Sequence, residues 1–529
     1  MTASALMILG TGSHVGKSII TAGLGRVFSD DKIRVAPFKA QNMSLNSAAT
    51  ADGREMGRAQ ALQAEACRVP PTVEMNPILI KPSSDTTSQV MLLGRVWGQV
   101  SAAEYHTKKV EQLFPVVLQS YQKLASQYEL VLLEGAGSPS EINLRDHDIV
   151  NLRMAKAANA GCLLVGDIDR GGVFAALLGT LELLEPAERE LFKGFVINKF
   201  RGDQSLLQPG VEMIEQRLRL PCVGVVPYVK DLGLDEEDSV AVEDRLTVKR
   251  VWERMSEDHS PHRRLRIGVI ALPYMSNFTD FDALAAEPSV ALAFLENAVD
   301  AEQADIIILP GTKQTIADLD WMAHKGFLPK IHKHSVQKKP IIGLCGGFQM
   351  LGLSLSDPNG VENNGIPVQR AGFGLLPVST VLGTQKTTRP VVGEICSFDP
   401  DLDAWQSRTF EGYEIHMGET VRSNSVQPFA RLTTLEGTEV LDGAINPSRN
   451  VFGTYVHGIF DNDPLRHSFI DWARVSLKLA PTGTKAFVKA DRETRLNRWA
   501  DCLRGCLRLD LIRQWALSPA SGQHSTFRP

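Results

Sequence analysis

The chain has 529 residues, 43% of them hydrophobic and 22% charged, and at ~150 residues per domain this length implies two large or about three ordinary domains, each able to bury a core. Those proportions exclude wholesale disorder and fibrous repeats. With 56 Lys plus Arg against 61 Asp plus Glu, a net charge of -5, there is no positive field of the kind that holds a nucleic-acid backbone, so no nucleic-acid partner is expected.

Seven cysteines are scattered, with no Cys-x-x-Cys pair, which points to a reducing compartment. The segment Met-Thr-Ala-Ser-Ala-Leu lacks the basic and apolar regions of a signal peptide, and no run of ~18 apolar residues occurs that would span a bilayer. A cytoplasmic chain without membrane contact is expected, compatible with a monomer or a homo-oligomer.

In chain order, short apolar runs at 5–9, 35–38, 130–133, 162–165, 195–197 and 223–226 read as strands. Each is followed by turn residues and helical periodicity, as in 102–124, which is the pattern of a parallel sheet with helices on both faces. From Lys230 to Arg266 the composition turns charged and irregular, marking a boundary with an antiparallel edge strand expected in 240–248. A second series of strands follows at 267–271, 306–309, 341–344 and 452–456. Beyond about 484 the spacing of Leu and Trp predicts a packed terminal helix. The architecture read from this is α/β with two tandem domains: residues 1–230, a linker over 231–265, a second domain over 266–480, and a helical tail over 481–529.

The first strand runs into Gly10-Thr-Gly12-Ser-His-Val-Gly16-Lys17-Ser18. Here Gly12 and Gly16 let backbone N–H groups turn around phosphate oxygens, Lys17 brings a charge to the terminal phosphates, and the Ser18 hydroxyl is placed for Mg²⁺. A strict Gly-x4-Gly-Lys-Ser loop has glycine where this chain has Thr11, so the loop is one residue longer. A ligand-free glycine turn and a dinucleotide turn are the competing readings; the second misses its spacing by one and leaves Lys17 and Ser18 without a task. Glu134, delivered by Leu130-Val-Leu-Leu to the carboxyl edge of the sheet, is the leading second Mg²⁺ ligand. Asn198 and Lys199, after Phe195-Val-Ile, stand where a nucleotide base is read.

In the second series, Gly343-Leu-Cys345-Gly346-Gly347 is the cysteine form of the strand-to-helix turn that exposes a nucleophile. The helix N-terminus favours a thiolate, the Gly346 N–H points at an oxyanion, and Gly311, ending the preceding strand, supplies the other donor. Of the twelve histidines, His457 stands at the end of Phe452-Gly-Thr-Tyr-Val and is the first choice of base, with His416 second.

Taken together, Gly343-Leu-Cys-Gly-Gly-Phe-Gln-Met-Leu-Gly and Gly453-Thr-Tyr-Val-His-Gly resemble a class I glutamine amidotransferase domain, flavodoxin-like in fold, and Gly10–Ser18 resembles the loop of the dethiobiotin synthetase-like P-loop fold. With Pro37-Phe-Lys-Ala-Gln-Asn-Met-Ser-Leu-Asn46, Asp167-Ile-Asp-Arg-Gly-Gly, Ile197-Asn-Lys-Phe-Arg-Gly-Asp203 and Leu309-Pro-Gly-Thr-Lys, the whole resembles the cobyric acid synthase family over about residues 4 to 470. The resemblance implies ATP and Mg²⁺ as cofactors, and glutamine and adenosylcobyrinic acid a,c-diamide as substrates, the b, d, e and g carboxylates being amidated. The related a,c-diamide synthases share both domain types; the segments at 42–46 and 167–172 favour the cobyric acid type. A partitioning-type ATPase shares the loop but has no use for Cys345 with His457. Many class I glutaminases carry a glutamate two residues after the histidine, where this chain has Ile459, which leaves either a Cys/His dyad or a borrowed orienting group such as Glu414.

Overall fold

The computed structural model describes residues 3–83, 87–101, 103–105, 109–229, 232–234, 246–253, 260–363, 365–396, 409–423, 426–435, 437–481 and 483–517. The first half is built on six parallel strands. Their spatial order is Cys222–Pro227, Phe192–Phe200, Gly161–Asp167, Ser4–Gly10, Leu130–Glu134, Val35–Phe38. Leu6 to Leu9 and Leu130 to Leu133 are wholly buried, because helices cover both faces of a parallel sheet and its strands therefore read as unbroken apolar runs. Gly10, Glu134 and Asp167 all end their strands at one carboxyl edge, where ligands of open α/β sheets bind.

A second six-stranded sheet runs in the order Val290–Leu295, Leu265–Ile270, Ile306–Leu309, Ile341–Leu344, Val451–Thr454, Ala444–Ile445, parallel except for the last strand. Both series of expected strands are thus present, in an α/β fold of two tandem parallel sheets. A mixed sheet stands beside the second, centred on the long strands Val378–Ile395 and Thr409–Arg422.

Two local differences from the sequence reading bear on the site. The run expected as one strand over 452–456 is two strands, Val451–Thr454 and Val456–His457, belonging to different sheets. Buried Asp442 makes the break by accepting from the Thr454 hydroxyl and from the Tyr455 N–H at 3.1 Å. Of the helix expected over 102–124, residues 102 and 106–108 lie outside the described residues, and the later part is a short π turn, Lys109–Leu113, leading into the helix Phe114–Gln127. The expected edge strand at 240–248 lies mostly outside the described residues; Thr247 makes an isolated parallel bridge to Phe294.

At the end of the chain, the helices Val488–Cys506 and Leu509–Leu517 return to the first sheet. Trp499 donates through Nε1 to the Ile19 carbonyl at 2.7 Å, Arg26 pairs with Glu493, and Leu507 bridges Gly224. Among the described residues, no helix is long and apolar enough to cross a membrane.

Candidate active site

At the first sheet's carboxyl edge, Gly16 caps the helix Lys17–Asp30 with φ 99°, a conformation side chains resist. A Cβ at Gly16 would also stand 2.1 Å from Asn198 Nδ2. The helix therefore opens with its N–H groups toward the loop, the arrangement that receives phosphate. Lys17 Nζ donates to the carbonyls of Gly12 at 2.7 Å and Gly137 at 3.0 Å, folding its charge over the loop.

Ser18 Oγ donates to Glu134 Oε1 at 2.7 Å. Glu134 is 1% exposed and also accepts from Lys39 Nζ at 3.0 Å and Gln63 Nε2 at 2.6 Å. One hydroxyl and one carboxylate side by side suit Mg²⁺, which keeps several waters and takes phosphate oxygens alongside one or two protein ligands. Among the described residues there is no group of three or more His, Cys, Asp or Glu able to hold a metal unaided.

Asn198 and Lys199 face the loop itself. Asn198 Nδ2 donates to the Val15 carbonyl at 2.9 Å, and Lys199 Nζ to the His14 carbonyl at 2.7 Å and to Asp167 at 2.9 Å. In this structure both bond backbone carbonyls of the phosphate loop.

In the second domain, Cys345 has φ 48° and ψ -108°, a strained conformation of the kind kept at active sites by its surroundings. It stands between the strand Ile341–Leu344 and the helix Gly346–Leu351. The turn requires glycine at 347, where a Cβ would lie 2.0 Å from the Leu309 carbonyl oxygen. The Cys345 N–H donates to the Thr454 carbonyl at 2.8 Å, tying the elbow to the strand that leads to His457.

His457, 1% exposed, is oriented by Asp280. Nδ1 lies 2.7 Å from Asp280 Oδ2, and Asp280 Oδ1 accepts from the Gly458 N–H at 2.9 Å. Cys345 stands beside the ring, its Sγ donating to the Ile415 carbonyl at 3.4 Å. Burial alone would lower the affinity of the imidazole for a proton, but the charge and hydrogen bond of Asp280, then Cys345, outweigh it and the group is pushed up to about 10. Cys345, His457 and Asp280 thus stand in an arrangement that suits the nucleophile, base and orienter of a thiol acyl-transfer site.

The two expected oxyanion donors flank this set. Gly346 follows Cys345 and a Cβ on it would strike Thr312 Cγ2 at 2.6 Å, while one on Gly311 would stand 3.0 Å from His457 Cε1. Glu414 is occupied elsewhere, paired with Arg389 and, at 3.5 Å, with His416. His416 stacks on Tyr455, with centroids 3.8 Å apart. Asp280 was not among the residues singled out from sequence. Its signal is slight: a charged residue between Phe278 and Phe281 in a buried 3-10 turn.

The two domains meet at this histidine. Ser47 and Asn46 of the first domain bond Asn277 and Phe278, and Gln314 Nε2 donates to the Ser83 carbonyl at 2.9 Å. Beside them Glu55, fully buried, is shared by Lys81 and by Lys386 of the long strand Val378–Ile395. Burial would raise the Glu55 carboxyl, yet the two ammonium groups outweigh it and hold it far below its ordinary value. Lys81 is pushed down to about 8 by its own burial.

Residues 6–240 match the family described as the CobQ/CobB/MinD/ParA nucleotide binding domain, and residues 266–465 match the CobB/CobQ-like glutamine amidotransferase domain. A cobyric acid synthase of Pelotomaculum thermopropionicum is 44% identical over 97% of this chain and 96% of its own length. One of Syntrophobacter fumaroxidans is 47% identical over 88% of this chain and 89% of its own length. One of Desulfitobacterium hafniense is 43% identical over 97% of each.

Proposed function

Because the chain belongs to the cobyric acid synthase family of glutamine-dependent amide ligases, we propose that it amidates the b, d, e and g carboxylates of adenosylcobyrinic acid a,c-diamide, using ATP and glutamine. A carboxylate is a poor acyl donor, and phosphorylation at the P-loop makes it an acyl phosphate that ammonia attacks. Ser18 and Glu134 would hold Mg²⁺, which would supply charge neutralisation to the phosphates. Lys17 stabilises the charge that develops on the transferred phosphoryl group.

Ammonia comes from glutamine. The Cys345 thiolate attacks the side-chain amide, the Gly311 and Gly346 N–H groups receive the oxyanion, and His457 protonates the departing nitrogen, leaving a thioester for water to cleave. The observation that carries this reading is the presence in one chain of the Cys345–His457–Asp280 constellation and the Ser18–Glu134 phosphate-loop pair.

A cavity of about 570 Å³ beside the phosphate loop is the place we assign to the acceptor carboxylate; Gln41, Met43, Tyr105, Gly137 and Arg145 are among the residues lining it. The Gly137 carbonyl that takes the Lys17 ammonium is part of its wall, so a carboxylate lodged there lies against the terminal phosphates. Incubation with the a,c-diamide, ATP, Mg²⁺ and glutamine, followed by product masses, tests the reading. Up to four successive amidations are expected; conversion of cobyrinic acid itself, with the diamide left untouched, would make the chain an a,c-diamide synthase instead.

A further inference from the structure

Ser47 is where the first domain grips the surroundings of the glutaminase histidine. Its N–H donates to Asn277 Oδ1 at 3.0 Å, its carbonyl accepts from the Tyr413 hydroxyl at 3.2 Å, and its hydroxyl accepts from Lys81 Nζ at 2.9 Å. Both partners across the interface touch His457. The Tyr413 ring stacks on the imidazole with centroids 5.5 Å apart, and Asn277 Nδ2 lies 3.2 Å from Nε2. Asn46 adds a second tie, its Oδ1 accepting from the Phe278 N–H at 3.1 Å.

These contacts fix which way the Asn277 amide faces. A backbone N–H only donates, so the atom toward Ser47 is the oxygen and the atom toward His457 is the NH₂ group. That group only donates as well, so the Nε2 it meets has to accept, and the ring proton sits on Nδ1 facing Asp280. A lone pair engaged in this way does not take the proton of Cys345.

The surrounding charges pull the other way. Asp280 and Cys345 both favour the imidazolium. Other ionisable groups near the pair are Glu414 on the neighbouring strand, bound by Arg389 and His416, Asp461, which faces Arg58 at 3.7 Å, and buried Lys313 and Tyr455, both of which feel the charge of Cys345. His457 is poised between two protonation states, and the Asn277 amide selects one of them.

We propose that Asn277 is a positioning residue that keeps the Cys345–His457 pair uncharged while Ser47 holds its amide oxygen, and releases the pair when ligands at the phosphate loop shift the segment from Lys39 to Ser47. The inference rests on the glutaminase reading above and adds its regulation. The segment begins at Lys39, whose Nζ is bound to Glu134 beside Ser18, and ends at the two residues that tie down the Asn277 loop. Once the Ser47 bond opens, the amide turns over and Oδ1 faces the ring. The proton then leaves Cys345 Sγ for Nε2, giving thiolate and imidazolium with no other change of charge. Glutamine is thereby consumed only when the first domain is loaded.

The test uses the full-length protein and the rate at which iodoacetamide alkylates Cys345, read from the mass of its peptide between about pH 5 and about pH 10. Wild type is compared with Asn277→Asp, which offers an acceptor to both Ser47 and Nε2–H, and with Asn277→Gly, which tolerates the positive φ of this position and has no amide. Glutamine hydrolysis is followed in parallel. In wild type, ATP, Mg²⁺ and the a,c-diamide together are expected to speed alkylation near neutral pH by about tenfold or more. Asn277→Asp is expected to react at the fast rate without ligands, with its pH profile displaced by about one unit to lower pH, and to hydrolyse glutamine without ATP. Asn277→Gly is expected to lose the ligand dependence. If both folded variants keep the wild-type pH profile and ligand dependence, the role given to Asn277 is wrong. If wild type hydrolyses no glutamine and glutamine does not protect Cys345, the glutaminase reading itself has failed, which is a distinguishable result.

Discussion

Asp280 and His457 are 177 residues apart in sequence, and the carboxylate of the first holds both the ring of the second, at 2.7 Å, and the Gly458 N–H that follows it, at 2.9 Å. One acid therefore sets the tautomer of the imidazole and the course of the chain that presents it. Replacing it with an amide keeps the shape and loses the charge. Asp280→Asn is expected to lower glutamine-driven amidation by about 10²- to 10⁴-fold, as loss of an orienting acid does in other triads, while amidation from high free ammonia stays within about twofold. Parallel assays with the two nitrogen sources check this, and equal losses would place Asp280 outside the glutaminase.

Cys345→Ser separates the half-reactions more sharply. Glutamine-driven synthesis should disappear, because a hydroxyl at this elbow is a far weaker nucleophile, and ammonia-driven synthesis should persist. Loss of both in a folded variant would mean that the cysteine serves the ligase chemistry.

Lys17→Ala acts on the other half. The phosphoryl group loses its nearest fixed charge, and amidation should fall by about 10²-fold or more with either nitrogen source. Near-normal turnover from ammonia would refute the nucleotide assignment.

Asp442 gives a prediction in pH. Burial pushes its carboxyl up from 3.8 to about 6, against the opposing pull of its bond from Thr454. A carboxyl raised in the folded state contributes stability that is fully present below its unfolded value near 3.8 and lost as pH rises through about 6. By neutral pH the ionised group has weakened the fold by on the order of 3 kcal/mol at most. Asp442→Asn stays uncharged and still offers an oxygen to the Tyr455 N–H. Urea unfolding is expected to show wild type losing stability between about pH 4 and about pH 6 relative to Asp442→Asn; parallel curves for the two proteins would dismiss the idea.

Passage of nitrogen between the sites is the last prediction. Free ammonia at neutral pH is mostly protonated and not nucleophilic, and the residues around His457 lie against the first domain through Ser47 and Asn46. With unlabelled glutamine and moderate labelled ammonium supplied together, the new amides should contain little label. Labelling at the level of the bulk pool would show that ammonia escapes before use.

Much of this architecture was legible in the chain because it rests on local rules. Ile306–Leu309 and Ile341–Leu344 are buried at every position, so their apolar runs carried the signal directly. The phosphate loop and the elbow were legible because glycine is required there by clashes within a few residues or with the adjoining strand, as at Gly347. The strands Val378–Ile395 and Thr409–Arg422 were not, since their burial alternates irregularly with exposed polar positions and their pairing is set by register rather than by local sequence. Asp280 and Asn277 gain their roles only through folding: each meets His457 from a distant loop, and nothing in the nearby sequence marks the meeting. Asn198 and Lys199 were read as the place where a nucleotide base is recognised; their bonds to the Val15 and His14 carbonyls are made across sheet neighbours far apart in the chain, which local sequence does not mark.

The helix Val488–Cys506 lies on Lys17–Asp30, the helix that opens at the phosphate loop, with Leu503 and Trp499 seated over Gly23. On the ribosome, the first helix emerges long before the residues that cover it. A nascent first domain thus displays an apolar face around Ile20, Leu24 and Val27, residues of the same core as Leu496 and Leu503, until residues 488–506 have been made. Chaperone occupancy during synthesis, and aggregation when translation stops before residue 488, should therefore track the first domain even though the missing piece follows the second.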